Sequence, residues 1–382
     1  MPPKADNSHR EAAPFLQDKN LGFPTRPRLA PDLRFFDMPD GLGVQVRGGE
    51  YNTVLRGLQV NTVWPWLAPL LDGSSTVDDL LRAKPADVPD KDVLNTIWVA
   101  FTKGLLIEGK ESARAEPQMD ATLRRQKLFW GRKLGLTRAN GYPEQVEAKL
   151  ANANVAMFGN GLLAAVTLDV LSRSGFGTIR VADWEDGGIL SDSMEPAREN
   201  RHHYASTSRS LDSLHQWLQE LTPIPDLLIT ATRDVPGAVF DLINRHCLEN
   251  NIRWLRGNDD LVQIEIGPFV DPFSSGCFTC MLLRQISCMD HPVEEELYQQ
   301  HLAENAEEMP GGSGESVAFA TAGASLLAME AIRITTGITP PSTENVVITM
   351  TFRGSITTNR FLRVPRCPDC YRGSHNTSID DT

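Results

Sequence analysis

Basic residues are scarce in this chain, and their scarcity excludes one class of function. The 382 residues include 37 Lys and Arg against 49 Asp and Glu, so the formal net charge is -12 at pH 7. Because binding to a nucleic-acid backbone requires a basic face, no nucleic acid is expected as a partner. Lysine does not occur after Lys149, so the long second part of the chain offers no ammonium group to a phosphate.

Long apolar segments are lacking as well. The first residues, MPPKADNSHREAAPF, have no apolar core of the kind found in signal peptides. Elsewhere we find no apolar run of the length that crosses a bilayer, so no membrane partner is expected. These features predict a cytoplasmic protein. Residues 1–22 are polar and without periodicity, and we expect them to form a flexible tail.

Residues 23–112 are predicted to form a small α+β domain. Three short extended runs come first, the first two separated by a Pro-Asp-Gly turn. Three helices and a last short strand follow. Within the third helix, at 91–105, apolar residues recur at four-residue spacing and predict a buried stripe. This order of elements is winged-helix-like.

The region from 151 onward alternates buried strands with helices, a pattern that predicts a Rossmann-type α/β domain, with a parallel sheet covered by helices on both faces. Between the first strand and helix, Gly159, Gly161 and Ala164 fit the dinucleotide-binding pattern G-x-G-x-x-G/A. Asp183 ends the next strand, where an acid can bond a ribose hydroxyl. Because such glycines are also needed to pack strand against helix, the sequence favours an empty or degenerate nucleotide site over a working one.

Cysteine is uncommon, but four of the six cysteines form two C-x-x-C pairs, Cys277 with Cys280 and Cys367 with Cys370. Four thiolates satisfy tetrahedral Zn²⁺ and leave no open position, so we expect a structural zinc site. A redox C-x-x-C or two unrelated pairs are the alternatives. Redox activity is disfavoured because neither pair opens a helix in a thioredoxin-like context. We find no H-E-x-x-H motif and no catalytic triad, and predict no catalytic residue.

Several of these segments resemble a known family. VAMFGNGLLAAVTLDVLSRSGFGTIRVADWE resembles the nucleotide-binding core of ubiquitin-activating (E1-like) and ThiF-type adenylating enzymes, and RRQKLFWG resembles their entry segment. The paired C-x-x-C motifs are similar to the zinc site of that family. The N-terminal block resembles the PqqD-like RiPP recognition element. Together they resemble the leader-peptide-binding partner protein of azol(in)e-modified peptide (TOMM/RiPP) biosynthesis.

This resemblance implies a fold, partners and a binding surface. Residues 23–112 would be the PqqD-like recognition domain, and residues 113–382 the E1-like domain with its zinc site. The precursor leader peptide would add as a strand to the segment EYNTVLR and lie against the third helix. A YcaO-type ATP-dependent cyclodehydratase would then form the heterocycles, and E1-like domains usually pair as homodimers. The expected peptide-binding residues are Tyr51, Thr53, Val54, Leu55, Asn95 and Trp98.

The chain also departs from the adenylating members of that family. Leu162-Leu163-Ala164 replaces the usual Gly-Leu-Gly, and the Ser-Asn-Leu-x-Arg-Gln stretch is absent. Without a lysine or a clear arginine, the nucleotide phosphates lose their charge clamp, so ATP is not expected to bind to this chain. The alternative is a catalytic ATP-dependent adenylating enzyme. A winged-helix transcription factor ranks last, because the third helix offers only Lys91 and Lys103 as cations.

Overall fold

The structure is a computed structural model with two compact units. Contacts divide the chain into unit 1, Met1–Ala148, and unit 2, Lys149–Thr382. Of the expected tail, only Leu21 lies among the described residues. The structure describes residues 21, 23–48, 51–109, 121–137, 143–184, 203–207, 209–260, 262–305 and 314–371.

Unit 1 contains two small antiparallel sheets and several helices. Strands β2, β3 and β4 form a three-stranded meander, and β1 pairs with β5. The predicted three strands, three helices and further strand are observed, but a short strand that the sequence did not predict, Pro27–Leu29, precedes them. The elements are β1 Pro27–Leu29, β2 Arg34–Asp37, β3 Val44–Gly48, β4 Tyr51–Leu55, α1 Leu58–Leu67, α2 Val77–Ala83, α3 Asp90–Thr102, β5 Leu106–Glu108 and α4 Ala121–Thr137.

Local sequence explains how these helices begin and which face they bury. Thr76 caps α2 in a capping box, since its hydroxyl accepts from Asp79 N at 3.2 Å and the Asp79 carboxylate accepts from Thr76 N at 3.0 Å. Helix α3 begins one residue after Pro89. The predicted buried stripe is confirmed, because all four of its residues lie in one apolar cluster: Val93, Ile97, Phe101 and Leu105. The helix itself ends at Thr102 rather than at 105, so Leu105 lies just beyond it.

Helix α4 belongs by its contacts to unit 1, so the division between units falls later than residue 112. The guanidinium of Arg132 donates to the carbonyl of Gly104 at 3.2 Å. A side chain on Gly131 would lie 2.9 Å from the ring of Pro31, which shows how closely the helix approaches the segment after β1. The extent of the recognition domain, 23–112, stays a prediction.

Unit 2 is built on one eight-stranded sheet in the order β13-β12-β11-β10-β9-β6-β7-β8. Strands β10, β9, β6, β7 and β8 are parallel, as expected. Strands β11, β12 and β13 are antiparallel to their neighbours. Short connections make hairpins of β10 with β11 and of β12 with β13, whereas three helices separate β11 from β12 along the chain. The elements are α5 Pro143–Asn152, which begins in unit 1, β6 Val155–Gly159, α6 Gly161–Arg173, β7 Ile179–Asp183, β8 His203–Ser206, α7 Leu211–Gln219, β9 Leu227–Arg233, α8 Gly237–Glu249, β10 Arg253–Asp259, β11 Gln263–Val270, α9 Phe278–Ile286, α10 Pro292–Glu304, α11 Val317–Thr336, β12 Val346–Thr351 and β13 Ile356–Arg360.

Helix α11 differs from the expectation that no segment could cross a membrane. By length and composition alone, its 20 residues are apolar enough to do so. Its packing is that of a core helix, however. A side chain on Gly323 would lie 2.7 Å from Ile264, and Leu327 fills the space over Gly257 at 2.6 Å. Length and composition are therefore weak grounds for a membrane span in this helix.

Candidate metal centre, glycine turn and peptide-binding edge

The four paired cysteines meet at one point in unit 2. Cys277 is the N-cap of α9 and Cys280 lies in its first turn, so the expectation that neither pair opens a helix is wrong for this pair. Cys367 and Cys370 follow β13. Their sulfur atoms all lie within 4.8 Å of one another, and all four side chains are buried. The sequence predicted that the two cysteine pairs form one cluster, and the fold brings them together. Among the described residues, no other group of His, Cys, Asp and Glu is placed to hold a metal.

The spacing of the sulfurs fits a tetrahedral metal ion. The Sγ–Sγ distances are 3.9 Å for Cys277 and Cys280, 3.7 Å for Cys277 and Cys367, and 3.5 Å for Cys280 and Cys370. A tetrahedron with metal–sulfur bonds of about 2.3 Å has edges of about 3.8 Å. The cluster can hold one metal ion with four thiolates and no open position, which is the form of a structural rather than a catalytic site.

Neighbouring groups orient the cysteine pairs. The backbone N–H of Val364 donates to Cys280 Sγ at 3.3 Å. The hydrogen bond from the Cys277 thiol is the main cause that lowers the pKa of Cys280 to about 4, while burial opposes it. Asp369, between the second two cysteines, accepts from Thr279 Oγ1 and from Asn244 Nδ2, the latter at 3.0 Å. This network attaches the C-terminal pair to α8 and α9.

The remaining two cysteines lie outside the cluster, as expected. Cys247 is buried in α8, where burial raises the pKa of its thiol. Cys288 is exposed after α9. They offer natural controls for the cluster, one buried and one exposed.

The glycine turn between β6 and α6 adopts the predicted conformation. Gly159 ends β6 so close to the carbonyl of Ala231 that no side chain fits there. Gly161 begins α6 with a φ of 69°, in the left-handed region that favours glycine. Asn160 joins this turn to the end of β9, because its Oδ1 accepts from Arg233 N at 2.8 Å and its Nδ2 donates to Arg233 O at 2.9 Å.

An acidic side chain of the chain itself lies at the start of α6. The backbone N–H of Leu162 donates to Glu315 Oε2 at 2.9 Å. Arg233 NH1 lies 3.0 Å from Glu315 Oε1, and these two side chains are only 6% and 11% exposed. Sequence reasoning missed both residues. The expectation that this turn has no clear arginine is wrong, because the Arg233 guanidinium lies beside it. Glu315 is far from the turn along the chain, and nothing in the local pattern of its segment points to this contact.

Two acids flank the turn at the ends of strands. Asp183 ends β7 and is buried, and its backbone carbonyl accepts from Thr207 N at 2.9 Å and from Thr207 Oγ1 at 2.8 Å. Asp234 follows β9 with a φ of 49°, and its Oδ2 lies 3.3 Å from Arg233 Nε. Gly159 and Asp183 thus end their strands and Gly161 begins the helix, while their role toward a nucleotide stays a prediction.

The predicted peptide-binding residues lie on β4 and α3. Strand β4 is an outer strand of the meander, and among the described residues it pairs only with β3. Leu55 is 1% exposed and packs in the core of unit 1, so only its backbone is at the edge. Val54 is half-buried and Asn95 is exposed on α3. Trp98 is half-buried, and its ring lies 5.8 Å from that of Phe101.

Comparison with known proteins identifies the fold. No protein-family model matches the chain. No curated protein sequence matches it either. Among solved structures, E. coli MccB superimposes with a TM-score of 0.67 at 17% identity, over 91% of this chain and 97% of MccB. E. coli MccB with ATP gives 0.64 at 18% identity, over 90% of this chain and 99% of MccB.

A second kind of protein also matches. The heterocyclase TruD superimposes with a TM-score of 0.58 at 17% identity, over 91% of this chain but 43% of TruD. At these identities the similarity shows the fold alone. The chain therefore has the fold found in MccB, a microcin C7 biosynthetic enzyme, and in part of a heterocyclase.

Proposed function

We propose that this chain binds the leader of a ribosomally made precursor peptide and presents it to a YcaO-type cyclodehydratase that makes thiazol(in)e or oxazol(in)e rings. The match to TruD is the observation that carries this proposal. It covers 91% of this chain and leaves more than half of the heterocyclase unmatched. A separate cyclodehydratase polypeptide would supply the unmatched part.

The recognition step would use unit 1 as a PqqD-like element. The leader would add as a fourth strand to the outer edge of β4, with side chains between this strand and α3. Backbone hydrogen bonds give affinity in such binding, and alternate side chains give specificity. The open edge of β4 and the exposed Asn95 on α3 support this arrangement.

Unit 2 would act as a scaffold that holds one structural Zn²⁺ and pairs with a second copy. Absence of lysine after Lys149 supports a role without ATP binding. The carboxylate of Glu315 on the N–H of Leu162 supports it further, because an anion of the chain lies where a phosphate would approach. The homodimer rests on the family resemblance.

A catalytic adenylating enzyme is the second candidate. The structure of MccB with ATP favours it, because 99% of that chain is covered by this one. An adenylating enzyme would incorporate labelled pyrophosphate into ATP when its peptide substrate is present. This exchange assay separates the two candidates without knowledge of the final product.

Reconstitution tests the main proposal. The assay mixes the purified chain and ATP with a YcaO-type enzyme and a Cys/Ser/Thr-rich precursor peptide, both encoded near the gene of this chain. Mass spectrometry follows the loss of one water molecule per ring formed. We expect ring formation only when all components are present. Ring formation at full rate without this chain would refute the scaffold role. Peptide-dependent pyrophosphate exchange by this chain alone would establish the adenylating enzyme instead.

A further inference from the structure

Three separate segments of unit 2 meet at the start of α6. The glycine turn offers the N–H of Leu162, the end of β9 offers the guanidinium of Arg233, and the segment before α11 offers the carboxylate of Glu315. Arg233 NH2 also donates to the carbonyl of Gly314 at 3.2 Å, next to Glu315 in sequence. The acid is thus held through both its side chain and the backbone before it.

The electrostatics of this point favour a negative charge. The start of a helix carries partial positive charge and orphan N–H groups, and Arg233 adds a full positive charge that is 6% exposed. A buried cation without a nearby anion is costly. Glu315 satisfies both the helix and the arginine, with its two oxygens at 2.9 Å and 3.0 Å from the respective nitrogen atoms.

The same contact leaves no room for a second anion. The Glu315 carboxylate lies against Gly161 within the space that a side chain on this glycine would fill. A phosphate approaching the turn would meet this carboxylate both sterically and as a like charge. It could reach the Leu162 N–H only after Glu315 had left.

We infer that Glu315 is a built-in occupant of the anion position at the start of α6, and that it closes this glycine turn to nucleotide phosphates. Arg233 holds Glu315 in place. This inference deepens the proposed function, because it gives the physical reason for a scaffold that keeps the turn and does not bind ATP. It concerns binding at one site, so it can fail while the scaffold role holds.

Anion rescue tests the inference on the full-length protein. Glu315→Ala removes the carboxylate from the helix start and leaves Arg233 with Asp234 as its acidic neighbour. Inorganic phosphate should replace the lost carboxylate. A ligand at a concentration tenfold above its Kd lowers the equilibrium constant of unfolding about 11-fold. For a unit of this size, that change raises the melting temperature by roughly 3–6 °C. We therefore expect phosphate, compared with chloride at equal ionic strength, to raise the melting temperature of Glu315→Ala by about 3 °C or more.

Matched variants decide the outcome. The parent and Glu220→Ala, which removes an exposed acid at the end of α7, should shift by less than about 1 °C on the same scale. Adding Arg233→Met to Glu315→Ala should abolish the rescue. Glu315→Gln keeps an acceptor for Leu162 N–H and removes the charge, so it should fold and show a smaller rescue.

Two results would overturn the inference. One is a folded Glu315→Ala or Glu315→Gln protein that responds to phosphate no more than the parent does. Calorimetry of ATP binding gives the second test, in which we expect Glu315→Ala to bind ATP at least about tenfold more tightly than the parent. Equal affinity of the two proteins would overturn the inference. Neither measurement involves ring formation, so a failed reconstitution leaves this result unaffected.

Discussion

Removal of one cysteine ligand should release the metal and destabilise unit 2. In Cys280→Ser, only three thiolates remain of a cluster whose Sγ–Sγ distances, 3.5–3.9 Å, fit a single tetrahedral ion. The free energy of metal binding is folding free energy, about 10–16 kcal/mol for small zinc fingers. Unit 2 has a large core of its own, so we expect only part of this value, about 3 kcal/mol or more.

The melting temperature should then fall by roughly 6–12 °C, at 2–4 °C per kcal/mol for a unit of this size. Elemental analysis should give about one zinc per chain in the parent and much less in the variant. Cys288→Ser is the matched control, because this exposed cysteine lies outside the cluster and should change neither quantity. Less than half an equivalent of zinc in fresh, unchelated parent protein would refute the reasoning, as would a full equivalent in Cys280→Ser.

Three further predictions concern the other proposed roles. Val54→Pro should weaken leader binding by at least about tenfold, roughly 1.4 kcal/mol, because proline removes a backbone donor and distorts the edge strand. Fluorescence polarisation with a labelled leader peptide measures this affinity on folded protein with normal zinc content, and an unchanged affinity would place the binding groove elsewhere. Asp183→Ala should leave peptide processing nearly unchanged, and saturable ATP binding that this substitution abolishes would contradict the scaffold role. Light scattering at micromolar concentration should give the mass of a dimer, and a monomer mass would exclude the proposed pairing.

The elements of unit 1 were predictable because their signals are local. Pro-Asp-Gly marks a turn, Thr76 and Asp79 form a capping box, and Val93 and Ile97 lie on the buried face of α3. Each feature depends on residues a few positions apart. The position where unit 1 ends was harder to predict from the sequence. Helix α4 belongs to unit 1 through contacts between residues that are distant along the chain, such as Arg132 and Gly104.

The sites of unit 2 show the same difference between local and distant information. Spacing identified Cys277 and Cys280 as one ligand pair, but only the packing of α9 beside the segment after β13 brings the second pair to it. Glu315 was missed because no periodicity relates it to the glycine turn, which lies far back along the chain. Likewise, short connections explain the antiparallel pairing of β10 with β11 and of β12 with β13. The pairing of β11 with β12 joins strands that three helices separate along the chain, so no local pattern predicts it.

Packing alone accounts for the glycine pattern that suggests a nucleotide site. Gly159 is required because β6 passes directly against the carbonyl of Ala231, and Gly161 because its φ is 69°. Asn160 joins the turn to β9 through two hydrogen bonds to the backbone of Arg233. Glu315 then satisfies the N–H of Leu162, a group that a phosphate would otherwise bind. The two glycines, Asn160 and the N–H of Leu162 are thus all accounted for by contacts or backbone geometry within the chain, so these four features by themselves do not require a nucleotide.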